Sequence, residues 1–205
     1  MTTPSPGLRE RKKDATRKAL REAALRLALD RGPDDVRVED IAAAAGVSPR
    51  TYNNYFASRE QAIAAAVSAD REARVAAAVA AAPAGVPLSV AVTGALVEQY
   101  TSPADHDRAV LPLITARPAL RDAFLAAAAE MTDPLAAALA GRLGAGGRDR
   151  AEVLAASVAA AVRIALRRWI APAEGGLVVV SGSLPQLITA ALAPLAPALD
   201  APAPE

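Results

Sequence analysis

The stretch from Arg37 to Arg59, RVEDIAAAAGVSPRTYNNYFASR, leaves the chain few choices of local structure. Val38, Ile41, Ala42 and Ala45 recur at helical spacing. Gly46 interrupts the pattern where the backbone must turn left-handed, a conformation glycine takes without steric cost. Val47 returns a side chain to the core. Ser48-Pro49 then restarts a helix, with Ser as N-cap and Pro at the first helical position, where its missing N–H is not needed. Thr51, Tyr52, Tyr55 and Phe56 follow on this second helix, expected from about Pro49 to Phe56. Two short helices joined by a Gly-containing turn make a helix-turn-helix, a motif whose second helix enters the DNA major groove.

Composition extends the helical reading to the whole chain. Hydrophobic residues make up 53% of the 205, much of it alanine, the strongest helix former, and aromatics only 3%. An all-α protein is expected, with an N-terminal three-helix domain carrying the motif and a C-terminal helical bundle. There is no cysteine, which excludes disulfides and thiolate metal sites, and the single histidine is His106. His106 lies in the polar run A-D-H-D and reads as solvated. No Gly-rich phosphate loop and no acidic cluster with metal-ligand spacing is present, so no catalytic site, metal or cofactor is expected. No apolar run approaches the roughly 18–20 residues that span a bilayer, and the N-terminus has no signal-peptide core; a cytoplasmic chain with no membrane partner is expected. Net charge is +1, yet residues 1–60 carry 12 Lys and Arg against 9 Asp and Glu, while residues 61–205 carry 11 against 13. All three lysines, Lys12, Lys13 and Lys18, lie near the N-terminus, so basic charge gathers at the end that holds the motif.

In chain order, residues 1–8 read as a disordered arm and 9–66 as the DNA-binding domain. A first helix from about Glu10 to Arg31 buries Leu20, Ala23, Ala24, Leu27 and Ala28 and stops at Gly32-Pro33. After the motif, Ser58 caps a helix beginning at Arg59, with Ala62, Ile63, Ala66, Val67, Val75 and Val79 on its apolar side out to about Ala82. The domain boundary is placed inside that helix, and residues 67–199 form the second domain. There, Leu88 to Tyr100 reads as one helix and Pro103 to about Ala116 as another, kinked or split at Pro112. Ala119 to Leu143 is a long segment with Pro134 inside it, either kinked or divided. Arg150 to Ile170 is the longest clean pattern. Leu177 to Val180 reads as a packed connector, and Ser183 as the cap of a last helix from Leu184 to about Ala193. Residues 200–205 are expected to be a disordered tail.

A basic helix, then D-I-A…A-G-V-S…T-Y…Y-F-A-S-R-E at fixed spacing, then a further helix and a divergent helical remainder, resembles the TetR family of bacterial transcriptional regulators. The resemblance covers roughly residues 10–65. It implies a DNA-binding regulator, a repressor released from its operator by a small-molecule effector that the C-terminal bundle holds, and a homodimer. Helices about 150–170 and 184–193 are the candidates for a four-helix dimer interface, where Ala155, Ser157 and Ala159 are small enough for close approach. The alanine-rich remainder and the R-T-Y-N-N-Y-F form resemble an actinobacterial branch, some members of which are associated with acyl-coenzyme A-like ligands. Asn53 stands where the family often has an aromatic, so operator sequence does not carry over from relatives.

The candidate DNA-binding residues follow from helix-turn-helix geometry. Arg50 is the base reader, since a guanidinium pairs bidentately with guanine, and Asn53 and Asn54 face outward if Tyr52 and Phe56 face the core. Ser48, Pro49 and Thr51 place the helix start against a phosphate. Arg37, Tyr55, Arg59, Lys12, Lys13 and Lys18 are the backbone-holding set. The candidate effector pocket is Tyr100, Arg117, Phe124, Met131, Arg163 and Trp169, the polar or large side chains of otherwise Ala/Leu helices. Two other classes remain as alternatives: a helical ligand carrier or enzyme with an incidental motif, and a non-specific architectural DNA binder. The latter usually carries far more positive charge.

Overall fold

The computed structural model describes residues 7–101, 112–128, 132–144, 146–170 and 183–202. Every regular element among them is helical, as composition predicts. They fall into two compact units, divided between Val67 and Ser68.

In the first unit, α1 (Leu8–Arg31) buries the predicted stripe of Leu20, Ala23, Ala24, Leu27 and Ala28. The helix starts two residues earlier than its apolar pattern, so Leu8 belongs to it rather than to a disordered arm. Gly32, at φ +86°, ends it, its N–H donating to Ala28 O at 3.0 Å. A single 3-10 turn, Pro33–Asp35, leads to the fully buried Val36. Then α2 (Val38–Ala44) packs on α1 through Ile41 and Ala42, and α3 (Pro49–Asn53) packs on α2. Burying a side chain the size of Ile41 is worth about 1.5–3 kcal/mol. The next helix, α4 (Arg59–Ala81), begins in this unit and contributes Ala62, Ile63, Ala66 and Val67 to its core.

The second unit contains the rest of α4, α5 (Leu88–Thr101), a helical stretch at 112–116, α6 (Pro118–Ala127), α7 (Asp133–Leu143), α8 (Arg148–Trp169), α9 (Leu184–Leu192) and α10 (Ala196–Asp200). The last two are joined by the 3-10 turn Ala193–Leu195. α8 lies at the centre, packed by α6, α7 and α9, while α9 and α10 pack on α5. Its contact face is largely alanine (Ala151, Ala155, Ala159, Ala161, Ala165), which lets neighbouring backbones come close.

Prolines start helices here rather than bend them. Pro118, Pro134, Pro185 and Pro197 all occupy first-turn positions, where no helical N–H is lost. The segment from Ala119 to Leu143 is therefore two helices, the second opened by Pro134, and not one kinked helix. Two further expectations change. Ser183 stands at the N-cap of α9 but makes no side-chain cap bond. The chain from Asp200 to Pro202 is not a loose tail: Asp200 accepts from Ser89 N–H at 2.9 Å and Ser89 Oγ at 2.6 Å, and Arg150 donates to the carbonyls of Ala198, Ala201 and Pro202. These bonds hold the Asp200 carboxyl below its ordinary range, the Ser89 hydroxyl contributing most. His106, Met131, Leu177–Val180 and most of the helix expected from Pro103 lie outside the described residues.

Candidate functional site

The turn between α2 and α3 is built from backbone chemistry that its residues dictate. Gly46 sits at φ +71°. Val47 N–H donates to Ala42 O at 2.9 Å and Gly46 N–H to Ala43 O at 3.1 Å, the paired bonds of a Schellman stop. At the front of α2, Asp40 accepts from Arg37 N–H at 3.3 Å, which satisfies an otherwise open donor. At the front of α3, Ser48 Oγ accepts from Thr51 N–H at 3.1 Å and lies 2.9 Å from the Thr51 hydroxyl. Pro49 has no N–H and Thr51's is taken by Ser48, which leaves the Arg50 N–H for an incoming acceptor.

α3 is shorter than its apolar pattern suggests, ending at Asn53 instead of Phe56. The cause is a tightened last turn. Asn54 N–H reaches back only to Thr51 O, and Tyr55 N–H only to Tyr52 O at 2.8 Å. Tyr52 and Phe56 are buried, as expected, with ring centroids 5.8 Å apart. The Tyr52 hydroxyl donates to Ser58 O at 2.8 Å. Burial, with the Glu60 charge adding to it, raises the pKa of that phenol well above its ordinary value, so it stays a neutral donor. The Arg17 guanidinium lies 5.7 Å from the Phe56 ring centroid, tying the basic face of α1 to the end of the motif. Only the placement of Arg17 among the N-terminal basic residues hinted at this.

These constraints leave an outward face. Arg37, Ser48, Pro49, Arg50, Asn53 and Asn54 are exposed, and Thr51 and Tyr55 half-buried. Arg50 and Asn53 lie on α3 and Asn54 at its C-cap, all three exposed to solvent. Lys12, Lys13 and Lys18 are exposed along α1, with Lys18 3.8 Å from Glu22.

Arg59 is different. Its Nη1 donates to Asp34 O at 2.8 Å and Val36 O at 3.0 Å, its Nε to Glu60 at 2.8 Å, and its Nη2 lies 3.9 Å from the Asp34 carboxylate. The side chain is only 31% exposed. The guanidinium fastens the α1–α2 connection to the start of α4. Glu60 is the counterpart. Burial pushes its carboxyl up, but bonds from Arg59, its own backbone and Ser58, with the Arg59 charge, outweigh that and hold it below the ordinary range. Ser58 caps α4 as expected, its Oγ accepting from Gln61 N–H at 3.1 Å.

In the second unit, two of the predicted pocket residues meet around one that the sequence reading passed over. Arg71 on α4 lies over the Tyr100 ring at 4.5 Å and the Phe124 ring at 5.8 Å. It is 6% exposed, beside Ser68 at 4%. The signal was present: Arg71 stands four residues after Val67 and four before Val75, in the buried stripe of α4. Arg117 stands at the N-cap of α6, and Arg163 and Trp169 are half-buried on α8. Among the described residues no group of His, Cys, Asp and Glu is placed to hold a metal ion, and no helix is long and apolar enough to cross a membrane.

The comparisons agree with the motif. The profile described as bacterial regulatory proteins, tetR family, matches residues 20–66. Among solved structures, Thermus thermophilus FadR, titled a TetR-family transcriptional repressor in complex with lauroyl-CoA, aligns over 92% of this chain and 99% of that one, at 23% identity and a TM-score of 0.45. The HTH-type transcriptional regulator TcmR of Streptomyces glaucescens is 33% identical over 191 residues, spanning 88% of this chain and 84% of that protein. Identity at that level across most of both chains, together with the profile match on the helix-turn-helix, places this chain in the tetR family of bacterial transcriptional regulators.

Proposed function

We propose that this regulator is a cytoplasmic homodimeric repressor that leaves its operator when the second unit takes up a small molecule, and that it has no catalytic activity. The observation that carries the DNA half of this reading is the outward face of α3. Arg50 and Asn53 on α3, and Asn54 at its C-cap, are exposed, and the start and end of that helix are both fixed by hydrogen bonds. Arg50 reads a guanine edge, Asn53 and Asn54 read adjacent edges, and Arg37, Ser48, Thr51, Tyr55 and the α1 lysines hold phosphates.

Dimerisation is assigned to α8 and α9. Ala155 and Ala159, expected at the interface, are buried within the chain itself, so the small-residue argument passes to the other side of the helix. There Val153 is 66% exposed beside the exposed Ala156 and half-buried Ser157, an apolar surface suited to a second copy. Effector binding then acts by favouring a dimer whose two motif helices no longer match successive major grooves. The acyl-coenzyme A-like class expected from the resemblance stays a candidate effector.

The test is a gel shift with the promoter beside the protein's own gene. Specific binding that weakens steeply with salt and protects two half-sites about one helical turn, or a multiple of it, apart supports the reading. Equal affinity for promoter and random DNA overturns it in favour of a non-specific architectural binder.

A further inference from the structure

We propose that Arg17 is a DNA phosphate contact, seated against the Phe56 ring so that its guanidinium edge meets the backbone beside the base pairs that α3 reads. This rests on the reading of α3 as the element that enters the operator. It adds a residue that reading does not include and a physical reason for its position.

Placement comes first. Arg17 is exposed on α1, its guanidinium 5.7 Å from the centroid of the Phe56 ring. Phe56 is 2% exposed and is itself fixed. Its N–H donates to Tyr52 O at 3.1 Å, and the Tyr52 hydroxyl donates to Ser58 O. Asn54, exposed at the C-cap of α3, is two residues from Phe56, and two residues of chain span at most about 7 Å. The cation is therefore held at the exit of the reading helix by a ring that the core keeps in place.

The chemistry follows from what a ring contact uses and what it leaves. A ring engages a guanidinium through its π surface, while the N–H groups lie around the rim of the guanidinium plane. Two of them side by side match the paired oxygens of a phosphate. Among the described residues no carboxylate pairs with Arg17. Arg59 shows the contrast: it directs its N–H groups to Asp34 O, Val36 O and Glu60, whereas Arg17 touches the motif through a ring. Arg17 also stands in a row, for Arg9, Lys13, Arg17 and Arg21 recur every four residues along α1. Residues four apart are neighbours on a helix surface, and like charges at that spacing repel slightly. A polyanion laid along the row relieves that repulsion. The ring contact adds preorganisation: a guanidinium already seated loses less side-chain freedom when it meets its phosphate.

The experiment is fluorescence anisotropy of the full-length protein with two labelled duplexes of equal length, the promoter beside its own gene and a shuffled sequence. Affinities are measured from about 50 to 200 mM NaCl. Arg17→Met keeps the apolar stem and removes the charge. It should lower the slope of log affinity against log salt by about 0.9 for each protomer bound, on both duplexes. Affinity at the low-salt end should fall several-fold by the same factor on both, with the promoter-to-shuffled ratio and the thermal midpoint near wild type. Arg17→Lys should keep the slope and lower affinity a few-fold, since an ammonium has neither the planar face nor the fork. Phe56→Leu should also lower affinity a few-fold at unchanged slope, and should have no further effect on affinity once Arg17→Met is present.

An unchanged slope in Arg17→Met, with or without a lower thermal midpoint, overturns the phosphate contact, as does a loss confined to the promoter. Additive losses in the double variant overturn the part played by the ring. If Phe56→Leu does not fold, Arg17→Lys binding as tightly as the wild type overturns it instead. The operator reading fails separately. Equal wild-type affinity for the two duplexes overturns that reading, while a lowered slope in Arg17→Met leaves the phosphate contact standing.

Discussion

The two units are fastened by different means. In the first, the bonds that shape the motif are short in sequence: Ser48 to Thr51, Asp40 to Arg37, Tyr52 to Ser58, Val47 to Ala42. In the second, helix ends are closed by partners far along the chain. Arg142 donates to the carbonyls of Val79, Ala82, Pro83 and Val86, Arg150 to those of Ala198, Ala201 and Pro202, and Ser89 binds Asp200 across 111 residues. A reading head has to present the same side chains in the same geometry each time, and local bonds fix that geometry without reference to distant packing. A unit that must rearrange around a ligand can rest on a few long-range clamps, each of which sets the position of a whole helix.

That contrast predicts where single changes hurt most. Arg142→Ala removes every one of its carbonyl bonds at the end of α4 and a cation from the negative end of that helix. It should cost about 3 kcal/mol, measured by urea denaturation with a probe in the second unit such as Trp169. A loss below about 1 kcal/mol breaks the idea that long clamps hold this unit.

Next in size is the paired comparison of Arg59 and Arg50. Arg59→Ala severs the long-range fastening of the first unit and should lower its stability by about 2 kcal/mol, with affinity falling for all DNA alike. Arg50→Ala should leave the melting temperature within error. It should remove about 1–3 kcal/mol of discrimination at one base pair, read by gel shift on a set of single-site operator variants. If Arg59→Ala melts like the wild type and only weakens phosphate contact, the side chain is an anchor after all. Gly46→Ala sharpens the local half of the comparison. A Cβ there meets nothing within 4 Å, so the cost is the left-handed backbone alone, about 1–2 kcal/mol. Gly94→Ala is its control, since that glycine lies within α5 with open space around its Cβ and no positive φ. The substitution should stabilise by about 0.5–1 kcal/mol in the same assay.

The same division explains what could be read from the residues. The turn was legible because Gly46, Ser48 and Pro49 each carry a local conformational preference strong enough to act alone. The burial of Tyr52 and Phe56 followed from helical spacing. The fastening made by Arg59 was not foreseen because its partners, the carbonyls of Asp34 and Val36, carry no side-chain signature and lie 25 and 23 residues away. The anchored C-terminus was missed for the same reason: nothing in A-L-D-A-P announces that Arg150 and Ser89 will meet it. Prolines were ambiguous because the residue alone does not say whether it begins a helix or interrupts one. Pro134 resolves as a start because it stands in the first turn of α7, directly after the N-cap Thr132 and the first helical residue Asp133. Arg71 was legible in principle, as a charge on an apolar stripe, but its ring partners come from other helices and only folding brings them together.

The smallest effect separates charge from shape at the join of α3 and α4. The Glu60 carboxyl is held below its ordinary range when folded, so its contribution is present above the unfolded value, about 4.3, and fades as pH falls through the folded one. Glu60→Gln should therefore be less stable than the wild type at pH 7, by up to about 1 kcal/mol for a pair this close to solvent. The two proteins should converge as pH falls through the folded value and Glu60 takes up its proton. Urea midpoints at a series of pH values supply the measurement. Asp200→Asn is the matching change in the second unit, because the Asp200 carboxyl is lowered too, but by Ser89 from across the chain. If the Glu60→Gln gap stays constant down to pH 3 while the Asp200→Asn gap closes, charge matters only at the long-range contact, and the local bonds at Glu60 act through geometry.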